Sequence, residues 1–202
     1  MKTIQLREGK ERSLLRRHPW VFQGSIDKGR ADAGETVRVT ASDGRFLAWA
    51  AYSPSSMIRV RAWSFDEAER IDEHFFERRI ARALALRARL PIASDGVRLI
   101  HGEADGLPGL IVDRYGDLLS AQFLSAGTER WKATIADLLL KATGLTRLYE
   151  RSDSGVRKLE GLEPATGWLR GDGATEVTIR EHGWRLTLDV AEGHKTGFYL
   201  DQ

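Results

Sequence analysis

The chain contains no cysteine, which excludes disulfides, thiolate metal sites and any thiol nucleophile. It has no apolar run approaching the roughly 20 residues that span a bilayer, and its N-terminus lacks a basic segment followed by an apolar one. Neither membrane insertion nor secretion is signalled, so the expected location is the cytoplasm. No Gly-x-Gly-x-x-Gly occurs, and the glycines of GEADGLPGL are not followed by Gly-Lys-Ser/Thr, so neither kind of phosphate-binding loop is present. What the chain does have is 202 residues with 42% hydrophobic content, enough for one large domain or two small ones.

A net charge of +2 conceals an uneven distribution. Residues 1–70 carry 13 Lys and Arg against 9 Asp and Glu, whereas residues 71–202 carry an acidic excess. The basic surface therefore belongs to the N-terminal third, as expected if that third meets a polyanion. Its focus is KERSLLRRHPWVF, residues 10–22. Lys10, Arg12, Arg16 and Arg17 would attract a phosphate backbone, and the rings of His18 and Trp20 are flat enough to stack on an unpaired base. The plainer alternative is that Leu14, Leu15, Val21 and Phe22 are core residues and that Trp20, after Pro19, anchors a turn.

Arg12 to Arg17 predicts about one helical turn, ended by Pro19. Strand patterns follow in VFQGSI, ETVRVTA, RFLAWAAYS and MIRVRAWSF, and their close spacing with turns such as Ser42-Asp43-Gly44 indicates a small barrel. In the last of these strands Ile58, Val60 and Ala62 point inward. Arg59, Arg61 and Trp63 alternate on the other side, a face suited to nucleic acid or, more plainly, the solvent side of an edge strand with Trp63 over the barrel end.

From Ile71 the pattern becomes helical. Asp72 is the expected N-cap, and Phe75, Phe76, Ile80, Ala83, Leu84, Leu86 and Leu90 recur at helical spacing up to Pro91. The arginines among them, including Arg78, Arg79, Arg82, Arg87 and Arg89, read as a solvated face. Beyond this helix come a strand at Val97–Ile100, a hairpin turning at Tyr115-Gly116-Asp117, a helix over 128–142 ended by Gly144, a strand in TRLYER, and a closing hairpin around His182-Gly183. Strands flanking a helix make a compact α+β domain. His101, Glu103 and Asp105 have metal-ligand chemistry but no matching second cluster, so no metal site is assigned. Asp153, Arg157, Lys158 and Glu160 read as a polar loop.

Several spaced segments together resemble the N-terminal half of a bacterial family of RNA 5-methylcytosine methyltransferases, the ribosomal RNA large subunit methyltransferase I family. They are LLRRHPWVFQGSI, AYSP, IRVRAWSFD, HGEADGLPGLIVDRYGD, YERSDSGVRKLEG and GHKTGFYLDQ. The resemblance implies an RNA-binding PUA domain over 1–70, a central α+β domain over 71–190, and a linker over 191–202 into a Rossmann-like domain that this sequence lacks. In the family that domain supplies the S-adenosylmethionine site and the cysteine that attacks the base. The resemblance thus implies a methyltransferase cut short before its catalytic domain, inactive alone, with no cofactor bound to this chain and ribosomal RNA as partner. The alternative is a stand-alone PUA-type RNA-binding protein. By the same resemblance Lys10, Arg16, Arg17, His18 and Trp20 are expected RNA contacts, to which the basic face of the strand adds Arg59 and Arg61. His194, Lys195, Tyr199, Asp201 and Gln202 lie near cofactor or target base, or form an interdomain hinge.

Overall fold

A computed structural model describes residues 1–193 and Leu200. The N-terminal third is a six-stranded sheet made of β1 (Thr3–Leu6), β2 (Trp20–Phe22), β3 (Ile26–Lys28), β4 (Thr36–Thr40), β5 (Phe46–Tyr52) and β6 (Ile58–Ser64), in the order β2-β6-β5-β4-β1-β3. Period-two placement sends Ile4, Leu6, Val37, Val39 and Val60 into one core where none retains exposure. The turn at Ser42-Asp43-Gly44 closes the β4–β5 pair: Gly44 takes a positive φ of 86°, and the Arg45 amide donates to Asp43 Oδ1 at 3.0 Å. The first strand pairs in parallel with β4, a non-local pairing that the sequence pattern does not reveal.

The remainder is an α+β unit. Its sheet comprises β7 (Gly96–His101), β8 (Leu110–Tyr115), β9 (Leu118–Phe123), β10 (Arg147–Ser152) and β11 (Ala165–Arg170), ordered β11-β10-β9-β8-β7. The helix α2 (Glu73–Arg87) starts where expected, with the Asp72 carboxylate accepting from the Phe75 amide at 3.1 Å. It buries Phe75, Phe76, Ile80 and Ala83 in the same core as the sheet's Ile100, Val112, Leu119 and Phe123. The single helix expected over 128–142 is in fact two, α3 (Ala126–Arg130) and α4 (Lys132–Thr143). Ser125 and Thr128 form a capping box that starts the first helix earlier, and Trp131 leaves helical geometry between them. These helices carry the chain from β9 to its parallel neighbour β10. A final hairpin, β12 (Glu176–Glu181) with β13 (Trp184–Asp189), turns at His182-Gly183, both at positive φ. It packs Val177 and Ile179 on Tyr115 and Leu118. Among the described residues no helix is long and apolar enough to cross a membrane.

The barrel and the second unit share a packed seam. Trp63 belongs to the second unit's core, edge-on to Phe75 and Phe76 at 6.3 and 5.4 Å. Gly127 is required there: a Cβ would lie 2.5 Å from that of Ala51 and 2.7 Å from the Trp63 ring. On the same side Gly34, at a φ of 73°, lies against the Ala126 carbonyl.

Candidate nucleic-acid interface

The basic stretch is built around a single helical turn, α1 (Arg12–Leu15), in which Leu14 is buried in the barrel core. Anchoring one apolar residue of so short a helix leaves the others facing outward. Lys10, Arg12, Arg16, Arg17 and His18 are all exposed. The chain reverses at Arg17, which adopts φ 60°. Two backbone bonds hold this conformation, from the Arg17 amide to Leu14 O at 2.8 Å and from the His18 amide to Ser13 O at 2.9 Å. His18 Nδ1 then accepts from the Trp20 amide at 3.2 Å, which fixes the ring edge-on to Trp20. The guanidinium of Arg17 sits 5.7 Å from the Phe65 ring centroid. The other cations, Lys10, Arg12 and Arg16, are near Glu8 and Glu11 in sequence but form no ion pair in the described structure.

The other expected RNA contacts are placed differently. Arg61 is nearly buried: its side chain is 8% exposed and donates to Glu160 Oε1 at 2.6 Å. The Glu160 carboxylate also accepts from Ser53 Oγ at 2.7 Å and from the Ala126 amide at 3.2 Å. A guanidinium so enclosed cannot meet a phosphate, so the Arg61 expectation is corrected: this residue joins the two units. Trp63 likewise faces the second core and not a polyanion. Trp20 is half-buried, with its indole N–H donating to Glu103 Oε1 at 2.7 Å and the Arg61 guanidinium 5.8 Å from its ring. It serves the seam as well, with its N–H edge bonded to Glu103 and one face turned to Arg61. Arg59 is partly exposed and directs Nη1 to the carbonyls of Ser53 and Pro54. It also borders a groove of about 1060 Å³ that is lined by Arg7, Lys28 and Arg30.

Acidic residues in the second unit act as anchors. Asp105 takes a two-pronged contact from Arg87 at 2.5 and 2.8 Å and the His101 amide at 2.7 Å. With Glu103 committed to Trp20, these carboxylates hold protein groups, and no cluster able to hold a metal occurs among the described residues. The polar loop expected at 153–160 contains a helical turn, α5 (Val156–Leu159), and is structural. Buried Arg157 donates to Phe123 O, Glu163 O and Glu129. Glu160, absent from the sequence-based candidates, is the central acceptor of the seam. Nothing in its local sequence distinguishes it from a solvated glutamate. His194, Lys195, Tyr199, Asp201 and Gln202 lie outside the described residues.

The comparisons with known proteins fit this architecture. Residues 4–65 match a family model described as a PUA-like domain, so the chain is a PUA-like domain joined to an α+β domain. It is 49% identical over 205 residues to the ribosomal RNA large subunit methyltransferase I of Shewanella denitrificans, covering 98% of this chain and 52% of that protein. The namesakes of Pseudoalteromonas translucida and Aliivibrio fischeri are 48% and 47% identical, again over 52% of their length. The chain therefore spans about half the length of the curated relatives it matches. Among solved structures, a candidate SAM-dependent methyltransferase from Streptococcus mutans superimposes with a TM-score of 0.82 at 18% identity, over 100% of this chain and 52% of that one. A second candidate methyltransferase, solved with SAH, gives the same TM-score. At that identity the likeness shows the fold. These alignments also correct the expectation of a methyltransferase cut short: they establish similarity to a region of the relatives, and they show no truncation.

The cofactor of those neighbours does not fit the described residues. Such a group is cradled by a glycine-rich turn between a strand and a helix. Of the glycine-rich stretches among the described residues, 102–109 joins β7 to another strand and 167–173 joins β11 to β12, and a Cβ on Gly109 would meet Ser125 at 2.6 Å, so the first is already filled from within.

Proposed function

We propose that this chain binds RNA through the α1–β2 surface of its PUA-like domain and holds ribosomal RNA for methylation at cytosine C5, with S-adenosylmethionine as methyl donor of the reaction it serves in the cytoplasm. The observation that carries this reading is the group of exposed basic residues, Lys10, Arg12, Arg16 and Arg17, without carboxylate partners among the described residues, on a domain of PUA-like type. Guanidinium and ammonium groups in water gain from displacing the counterions of a polynucleotide, and they confer little sequence preference by themselves. His18 is exposed and held at a fixed angle by the bond it accepts from the Trp20 amide, an arrangement that supports reading it as a contact to an unstacked base. The names of the relatives, which are ribosomal RNA methyltransferases, support the substrate class. The role of the chain's own residues in this scheme is to bind and orient RNA.

The test is binding of a ribosomal RNA fragment measured at several salt concentrations. Affinity is expected to fall steeply with salt, and Arg16→Ala with Arg17→Ala is expected to weaken it. Salt-independent affinity, or no effect of the double variant, would contradict the proposal.

A further inference from the structure

A second basic surface faces the first across the seam. The cleft between the PUA-like domain and α2 has a volume of about 590 Å³ and is lined by Arg17 and Phe65 on one side and by Arg79, Arg82, Leu86 and Arg89 on the other. A smaller space of about 330 Å³ continues it toward Trp63 and Pro108, sharing Arg17, Phe65, Arg79 and Arg82. Carboxylates also border the cleft, but each has a partner within the protein. Glu103 accepts from the Trp20 indole, Asp105 is held by Arg87, and Glu69 is held by Arg78, Arg79 and Ser64. Asp66 accepts from the Ala68 amide. Among the described residues that leaves three guanidinium groups of the cleft without a carboxylate: Arg17, Arg82 and Arg89. Arg82 and Arg89 are seven residues apart, two helical turns, which brings them to the same side of α2 and its C-terminal extension.

The cleft is also suited to bases. Phe65 is partly exposed beneath the Arg17 guanidinium, and Leu86 is 50% exposed. The Trp63 indole N–H, in a side chain only 3% exposed, has no acceptor among the described residues, and Trp63 lines the smaller space. A buried donor without an acceptor costs free energy that an incoming oxygen would recover. An arginine rim, an aromatic and aliphatic floor and a spare N–H make up the chemistry of a single-strand groove, and the volume is on the scale of a small ligand, not of a duplex.

We infer that this cleft receives a single-stranded segment of the same RNA, its backbone held between Arg17 and the Arg82–Arg89 pair and a base lying toward Phe65. The inference rests on the reading that the chain binds RNA, and it makes α2 of the second domain part of the recognition surface. The Arg17 side chain then touches both the α1 surface and the cleft, so that one strand can pass continuously from the first domain to the second.

The experiment uses the full chain and two probes, a short single-stranded RNA and a hairpin in which the same sequence is paired, titrated by fluorescence anisotropy across salt concentrations. Three charge-matched pairs of substitutions are compared: Arg82→Ala with Arg89→Ala in the cleft, Arg12→Ala with Arg16→Ala on α1, and, as the distant pair, Lys158→Ala with Arg185→Ala, which line neither the cleft nor the space that continues it. All six positions are exposed or free of ion pairs, so the fold is retained, and thermal unfolding verifies it. The cleft pair is expected to weaken single-strand binding about tenfold at low salt and to lower the slope of log affinity against log salt by about 1.4. The distant pair should change neither. Should the cleft pair behave like the distant pair while the α1 pair weakens binding, the cleft inference is overturned and the RNA-binding reading stands. An equal loss on the hairpin overturns the single-strand assignment, and a wild-type chain that binds neither probe overturns both readings.

Discussion

Two stretches of the PUA-like domain, residues 10–20 and 59–63, both combine arginines with a tryptophan and meet opposite fates. Each would serve a polyanion if left open. On α1 the cations remain in water. On β6 the Arg61 guanidinium meets Glu160, a residue 99 positions away in sequence, and Trp63 is covered by Phe75 and Phe76. The difference teaches that the second domain, and not the local sequence, decides which basic face is available. One face was taken to join two domains, and the other was left to meet a partner.

The comparison is sharpened most by removing the buried partner. Glu160→Ala leaves Arg61 enclosed without compensation and is expected to cost about 3–5 kcal/mol, read as a lower denaturation midpoint; a change within experimental error would mean that Arg61 is solvated. Replacing both, Arg61→Met with Glu160→Leu, should recover part of that loss, because neither charge is then buried alone while the Ser53 hydroxyl and the Ala126 amide still lose their acceptor. Next in size is Gly127→Ala. The new Cβ would collide with Ala51 and Trp63, costing about 1–3 kcal/mol by overpacking, visible as a drop in melting temperature. Asp72→Ala removes the cap of α2 and should cost about 1 kcal/mol, with Asp72→Ser restoring most of it. The smallest stability effect is expected on the open face. Arg12→Ala with Arg16→Ala should leave stability unchanged to within about 0.5 kcal/mol while weakening RNA binding.

Acid offers a further way to separate the two faces. Burial pushes the Glu129 carboxyl up, but hydrogen bonds and charges from Lys132 and Arg157 together outweigh it, so that it ionises below the usual glutamate value of 4.5. A carboxyl depressed in the folded state contributes stability that is present above its unfolded value and is lost as pH falls through the folded one. Unfolding followed between neutral and acid pH should therefore show stability declining below the ordinary glutamate range, and Glu129→Gln should flatten that decline. An unchanged acid limb in the variant would contradict the cause assigned to it.

Much of the fold was legible because its signals are local. Period-two valines in β4, the Asp72 cap, the helical spacing from Phe75 to Ala83 and the turn at His182-Gly183 all act within a few residues. What was not legible depends on long-range partners. No strand was expected at β11, because its residues alternate weakly and its partner β10 supplies the ladder. Arg61 and Glu160 carry no local mark of burial, and neither does the commitment of Trp20 to Glu103, 83 residues away. The candidate site divides in the same way. Lys10, Arg16, Arg17 and His18 were legible as exposed charge on a short turn, whereas the arginines of α2 read as an ordinary solvated face until the barrel was seen to stand opposite them.

The most direct test of the account measures RNA binding and stability together in two variants of the PUA-like domain, within the full chain. Arg16→Ala with Arg17→Ala should lower the slope of log affinity against log salt by about 1.4–1.8, according to whether the bound RNA is single- or double-stranded, with the unfolding midpoint unchanged. Arg61→Met with Glu160→Leu should leave that slope as it is in the wild type. The opposite pattern, a slope that responds to Arg61 and not to the α1 arginines, would contradict the account.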